Sequence, residues 1–234
     1  MSKPFKNIGL LGGTFDPVHN GHLHLAEQAQ KFFNLEKVIF IPAFRSPHKR
    51  VIEPESSKHR LAMLALAIEN RPNFLMDKME IEKQVVSYTI DTLKAFKSEF
   101  SDCNLFLILG ADAFQAIETW KQSSQLLDFC NILVGARPGA DFKISESVKS
   151  KLSLTEPVTT DPSPEFGTES FILENIQKGT RVVFFQISPL DISSKDIRRR
   201  ISRKEEIKNL LPPSVDHYII KHRLYRDDSP PKVA

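Results

Sequence analysis

The order of elements predicts an α/β fold, a Rossmann-like doubly wound parallel sheet with a helical C-terminal part. Three observations carry that expectation. Short apolar runs recur along the chain, and most stop at glycine or proline. Stretches with helical spacing separate them. The first strand–helix–strand unit implies a parallel pair with a right-handed crossover.

Taken in order, Ile8-Gly9-Leu10-Leu11 reads as a buried first strand. Leu23, Ala26, Ala29 and Phe33 recur at helical spacing, which predicts a helix from about Gly21 to Phe33. Lys37-Val38-Ile39-Phe40-Ile41, closed by Pro42, gives the second strand. Pro42 to Ser56 is rich in proline and charge and reads as a surface loop. Ser56 or Ser57 can cap the next helix, with Leu61, Leu64, Leu66 and Ile68 on its apolar face. A short strand is expected at Phe74–Met76. A helix follows from Ser87 to Phe100, with Ser87 as its cap and Ile90, Leu93, Phe96 and Phe100 on one side. Leu105–Leu109 is the clearest strand, ending at Gly110, and a helix over Asp112–Glu118 follows it. Asn131–Val134 and Arg181–Phe185 are further strands. Ser194–Ile201 and Asp216–Leu224 read as the last helices. The serine-, threonine- and proline-bearing stretch 139–169 has weak periodicity and is expected to be a loop or insertion. Length suits a single domain over residues 1–234.

Net charge is +3 and pI about 8.8, a mild excess that suits a cleft for small polyanions and does not by itself argue for nucleic acid. No apolar run approaches the roughly 18 residues of a membrane span, and Met1–Lys6 lacks the apolar region of a signal peptide, so no membrane partner is expected. The two cysteines, Cys103 and Cys130, form no CxxC pair, and a reducing cytoplasm is the expected compartment. Oligomeric state, including a homo-oligomer, is left open.

The chemistry concentrates in Gly12-Gly13-Thr14-Phe15-Asp16-Pro17-Val18-His19-Asn20-Gly21-His22. A turn from a buried strand into a helix offers backbone N–H groups and a helix dipole to an anion. Gly12 and Gly13 allow a phosphate close to the backbone, and Thr14 adds a hydroxyl. His19 and His22, three residues apart, can face one pocket. Neither GxxxxGK[ST] nor GxGxxG is present. Gly110-Ala111-Asp112 lies at the carboxyl end of a strand, where ligands of open α/β sheets bind. Asp112 suits a ribose hydroxyl, or it caps the following helix. Ser193 and Ser194 precede a helix, as caps or as a second anion site with Arg198 one turn in. The neighbouring Arg199, Arg200, Arg203 and Lys204 read as a solvated helix face. HxxH is half of a zinc site, but no third ligand lies at a usual spacing, and no metal site of the protein's own is expected.

GGTFDPVHNGH resembles the signature of the HxGH nucleotidyltransferase superfamily. Within it the chain is similar to the nicotinate-nucleotide adenylyltransferases of bacterial NAD synthesis, through six segments over about the first 200 residues. The resemblance implies ATP binding by Gly12, Gly13, Thr14, Phe15, His19, His22, Ser193, Ser194 and Arg198, with His19, His22 and Arg198 as the catalytic set. It implies nicotinate mononucleotide binding by Lys49 of Pro42–Lys49, by Tyr88 and Thr89 of Ser87–Leu93, and by Asp112, Trp120 and Arg137. The amides near Tyr88 and Thr89 take the nicotinate carboxylate, and Trp120 stacks on the pyridine ring. Ile192-Ser193-Ser194-Lys195-Asp196-Ile197-Arg198 is similar to the family's ISSTxIR motif and departs from it at Lys195, where threonine is usual. The reaction implied is adenylyl transfer from ATP, with Mg²⁺ carried by the triphosphate. Rival readings are a phosphopantetheine or CTP-dependent relative, and a nucleotide sensor without turnover. Ser87–Thr89 and Trp120 argue against the first, and the intact His19, His22 and Arg198 against the second.

Overall fold

Strands that are buried on both faces must be apolar almost throughout, and four of the runs above are parallel-sheet strands. The computed structural model describes residues 6–45, 55–136, 144–155, 170–188, 190 and 192–226. Within them lie strands β1 (Asn7–Gly13), β2 (Lys37–Pro42), β3 (Phe74–Met76), β4 (Asn104–Gly110), β5 (Asn131–Ala136), β6 (Ser170–Asn175) and β7 (Thr180–Gln186). The helices are α1 (Asn20–Phe32), α2 (Ser57–Ile68), α3 (Met79–Lys83), α4 (Thr89–Glu99), α5 (Ala111–Gln115), α6 (Glu146–Leu152), α7 (Ser194–Ser202) and α8 (Pro213–His222). The sheet order is β3-β2-β1-β4-β5-β7-β6. β1, β4, β5 and β7 run parallel, with Leu10 opposite Leu107, Leu109 opposite Val134 and Val134 opposite Phe184. This is the Rossmann-like α/β sheet that the sequence predicts.

Two compact units divide the chain: Met1–Gly12, Leu25–Ile39 and Tyr88–Pro189 form one, and Gly13–His24, Phe40–Ser87 and Leu190–Ala234 the other. The first holds the centre of the sheet, where Ile8, Ile108, Ile132, Leu133 and Val134 have no exposed surface. In the second, α2 and α8 pack together, and Ser214 Oγ donates to Leu66 O at 3.2 Å.

Several elements differ from expectation. Ser56, not Ser57, caps α2, and its buried stripe is Arg60, Met63, Leu64, Ala67 and Ile68, while Leu61 and Leu66 are half-buried. The stripe follows a 3.6-residue period that the leucines do not. Ser87 does not cap α4: its hydroxyl accepts from Phe44 N at 3.3 Å, and Tyr88 holds the cap position. The helix at Asp112 is one short turn, continued by 3-10 turns at Ile117–Thr119 and Ser123–Asp128. Stretch 139–169 contains α6, capped by Ser145 Oγ on Val148 N at 3.2 Å, with Val148 and Leu152 buried; residues 139–143 and 156–169 lie outside the described residues. β6 was not expected; it pairs antiparallel with β7 through a turn at Gly179, whose φ of +64° suits glycine.

Cys103 and Cys130 are buried free thiols, and burial pushes Cys130 up to about 12. Among the described residues no helix is long and apolar enough to cross a membrane.

Gly135, on β5, is a packing glycine: a Cβ there would lie 2.4 Å from Leu25 Cδ1 and 3.3 Å from Ile187 Cδ1. Gly135→Ala is therefore expected to destabilise by about 1–3 kcal/mol, the usual range for overpacking. Urea unfolding should show a lower midpoint with an unchanged slope; an unchanged midpoint would mean that Leu25 yields freely.

Candidate active site

The phosphate-loop segment is shaped first by what lies beneath it. Phe15 adopts φ 50° and turns its ring inward to 1% exposure, against Phe40 at 5.8 Å and His22 at 5.0 Å. Left-handed φ is unusual for a bulky residue. Burying the ring offsets that cost by about 1.5–3 kcal/mol. The ring also explains Gly13, since a Cβ there would meet it at 3.0 Å. Gly21 has a similar cause, as a Cβ would meet the His19 ring at 3.0 Å.

Arg60 holds this segment from below. Its guanidinium is 1% exposed and donates to Thr14 O at 2.7 Å, Ala43 O at 2.8 Å and Glu55 O at 3.0 Å. Burial pulls Arg60 down from its ordinary value, and the Asp16 charge opposes that pull. Asp16 is itself buried. Its Oδ1 accepts from Glu55 N at 3.2 Å and from Tyr225 Oη at 2.8 Å.

His19 is buried and His22 half-buried, and their rings stack with centroids 3.7 Å apart. His22 Nδ1 lies 3.2 Å from His19 N, a backbone donor. Nδ1 therefore accepts and the neutral ring carries its proton on Nε2, which makes Nε2–H a donor suited to a phosphate oxygen.

The segment Ser193–Arg198 folds onto the same turn. Ser194 Oγ donates to Pro17 O at 2.9 Å, and Arg198 Nη1 donates to Asp16 O at 2.6 Å, with Asp16 Oδ2 at 3.5 Å. Among the described residues the Arg198 guanidinium is bonded through Nη1 alone, which leaves Nε and Nη2 able to meet an anion. Ser193 Oγ accepts from Asp196 N at 3.1 Å and caps α7. Its side chain thus has the capping role. Asp196 is clamped by Arg199 and Arg200, whose hydrogen bonds hold its carboxyl below the usual range. Those arginines form a paired helix face.

In the other unit, Tyr88 precedes α4 without a side-chain cap, and among the described residues nothing accepts from the Thr89 and Ile90 amides. Lys121, beside half-buried Trp120, lies 4.4 Å from the Tyr88 ring centroid and 3.0 Å from Asp91 Oδ2. The structure thus brings the Trp120–Lys121 segment to the start of α4. Gly110, not Asp112, occupies the cap of α5, and exposed Asp112 makes no recorded side-chain hydrogen bond. Lys49 and Arg137 lie outside the described residues. Among those described, no group of three His, Cys, Asp or Glu side chains is placed to hold a metal.

Gly12 and Gly110 differ from the packing glycines. Gly12 is the last but one residue of β1 and Gly110 the last of β4, adjacent parallel strands, and a Cβ on either would meet nothing within 4 Å among the described residues. Open space at the carboxyl ends of neighbouring strands is where such sheets bind ligands. Arg60, Lys121 and Tyr225 were not among the expected site residues, while Gly110 and Asp16 lay inside expected segments without a role of their own.

The cytidylyltransferase-like family model matches residues 10–200. A protein of Citrifermentans bemidjiense named "Probable nicotinate-nucleotide adenylyltransferase" is 38% identical over 94% of this chain and 98% of its own length. One of the same name from Thermoanaerobacter is 38% identical over 94% and 95%. The chain belongs to the nicotinate-nucleotide adenylyltransferase family. Its fold is shared with Plasmodium falciparum nicotinic acid mononucleotide adenylyltransferase, solved with NaAD, at TM-score 0.69 and 21% identity over 94% of this chain and 97% of that one. As a family member the chain is a nucleotidyltransferase.

If the space above Gly12 is ligand space, Gly12→Ala should leave thermal stability unchanged or slightly raised, because alanine loses less entropy on folding. It should weaken binding of a non-hydrolysable ATP analogue by at least about tenfold, roughly 1.4 kcal/mol. Titration calorimetry reads this directly, and unaltered affinity would show that nothing occupies that space.

Proposed function

We propose that the chain transfers the adenylyl group of ATP to nicotinate mononucleotide, giving nicotinate adenine dinucleotide and pyrophosphate. The observation that carries the reading is the joining of two anion-type motifs about 180 residues apart, through Ser194 on Pro17 O and Arg198 on Asp16 O. A lone helix start is only capped; two such starts tied together, each with a cationic or N–H donor to spare, suit a polyphosphate.

The attacking group is the mononucleotide phosphate, already an anion, so the protein needs no nucleophile. Catalysis is positioning and charge stabilisation. His22 donates through Nε2 to the α-phosphate, His19 supports it by stacking and through its backbone N–H, and Arg198 with the α7 amides holds the triphosphate. Gly12, Gly13 and Thr14 line the phosphate turn, and Phe15 supports it from the core. Mg²⁺ neutralises triphosphate oxygens and is held mainly by substrate and water.

For the mononucleotide we assign the unpartnered amides at Thr89 and Ile90 to the nicotinate carboxylate, Trp120 to the pyridine ring and Asp112 to a ribose hydroxyl. Lys49 and Arg137 complete the set on the family pattern. Lys121 adds positive charge beside the carboxylate by offsetting Asp91. The two free thiols fit a reducing compartment, and we place the reaction in the cytoplasm.

Pyrophosphate release with ATP and nicotinate mononucleotide tests the reading; absence of turnover with that pair would overturn it. His22→Ala should fold normally and lose about 10²–10³ in kcat, the usual effect of removing one donor to developing charge. Near-normal kcat would remove His22 from the mechanism.

A pocket of N–H donors accepts a carboxylate at every point, whereas the amide of the nicotinamide form turns an NH₂ toward a donor. Two unmade pairings of about 1.4 kcal/mol each predict a preference for the nicotinate form of at least about a hundredfold in kcat/KM. Lys121→Gln should narrow that preference severalfold, as expected of an exposed charge worth about 0.5–1 kcal/mol. Equal kcat/KM for both mononucleotides would sink the carboxylate assignment and leave the transfer chemistry standing.

A further inference from the structure

Tyr225 lies past the end of α8, more than 200 residues from the phosphate turn, yet its hydroxyl reaches Asp16 Oδ1 at 2.8 Å. Its backbone takes φ 62° to place it there. A left-handed tyrosine is held only where its surroundings over-determine it. Tyr225 is half-buried, and burial of its hydroxyl, together with the Asp16 charge, pushes that hydroxyl well above its ordinary value. It donates to the carboxylate as the neutral phenol. Asp16 is the residue that holds Arg198, through its carbonyl oxygen at 2.6 Å and its carboxylate at 3.5 Å. With Glu55 N also bound to Oδ1 at 3.2 Å, the carboxylate has a fixed plane, and its Oδ2 faces the Nη1 that the Asp16 carbonyl oxygen anchors. A guanidinium is rigid and flat, so anchoring one nitrogen directs the other two.

We propose that Tyr225 is a positioning residue for adenylyl transfer: through Asp16 it sets the direction in which Arg198 presents Nε and Nη2 to the ATP triphosphate. This rests on the assignment of Arg198 to that triphosphate. Without the Tyr225 hydroxyl, the Asp16 carboxylate loses one of its two neutral donors and turns more freely about its Cβ–Cγ bond. Nη1 keeps the Asp16 carbonyl oxygen, but the guanidinium loses the steady charge of Oδ2, pivots about that one bond, and meets ATP only in part of its arrangements. The mononucleotide side is untouched, so the effect belongs to ATP alone.

The test is steady-state kinetics on the full chain, with Tyr225→Phe, Arg198→Ala and the double variant, alongside thermal melts. Tyr225→Phe is expected to raise the ATP KM about fivefold to tenfold, equivalent to about 1–1.4 kcal/mol, with the mononucleotide KM within about twofold. In the Arg198→Ala background the same change should add less than about twofold, because the group it acts through is gone. A lower melting point with an unchanged ATP KM would reduce Tyr225 to a structural contact and overturn the proposal. So would an effect that persists in full without Arg198. An Arg198→Ala chain with normal ATP KM would instead overturn the Arg198 assignment, and the proposal with it. Asp16→Asn serves as a second variant should Tyr225→Phe not fold. It keeps an acceptor for Tyr225 and Glu55 N but removes the charge facing Arg198, and the same rise in ATP KM, lost in the Arg198→Ala background, is expected.

Discussion

The buried carboxylate of Asp16 is the constraint on which the phosphate turn depends. Taking a carboxylate out of water costs several kcal/mol unless charge and hydrogen bonds meet it. Here Tyr225, the Glu55 amide and Arg198 supply them, with the Arg60 charge close by. Arg60 in turn satisfies carbonyls that loops would otherwise leave dry. Removing one member leaves another charge uncompensated, so the turn is held as a unit. Rigid support of this kind is what a transfer reaction without a protein nucleophile needs, since its gain comes from geometry fixed before substrate arrives.

The glycines divide into two kinds. At Gly9, Gly13 and Gly135 a side chain would strike Ile108 and Leu35, the Phe15 ring, or Leu25, so the interior itself demands glycine. At Gly12 and Gly110 nothing among the described residues does. A glycine that packing does not require, in extended or ordinary backbone, points to something outside the protein that approaches closely. The distinction needs coordinates, because both kinds look alike in a string of letters.

The strands of the sheet centre were legible because burial on both faces leaves unbroken apolar runs such as Leu105–Leu109. β6 was not, since Phe171–Leu173 is a short run on an edge strand whose pairing depends on the turn at Gly179. α6 has only Val148 and Leu152 to announce it, one turn apart, and its evidence is the Ser145 cap. The turn from β1 into α1 was legible from its own letters. Its support was less so: Tyr225 is distant in sequence, and Asp16 sat unassigned inside the motif. Arg60 had a signal that went unread. It stands at the spacing of Met63, Leu64 and Ala67, and an arginine on a buried stripe must have partners. Counting leucines placed the apolar face of α2 a step away and hid it.

Cys130 illustrates a different outcome of the same packing. It stands one residue before β5, its buried sulfur donates weakly to Leu126 O at 3.6 Å, and burial holds it as the thiol. Only the thiolate attacks electrophiles or enters disulfide exchange. Alkylating and oxidising reagents must therefore wait for the surrounding segment to open, and the rate at which they consume Cys130 reports the opening frequency of the sheet centre, not the chemistry of the surface.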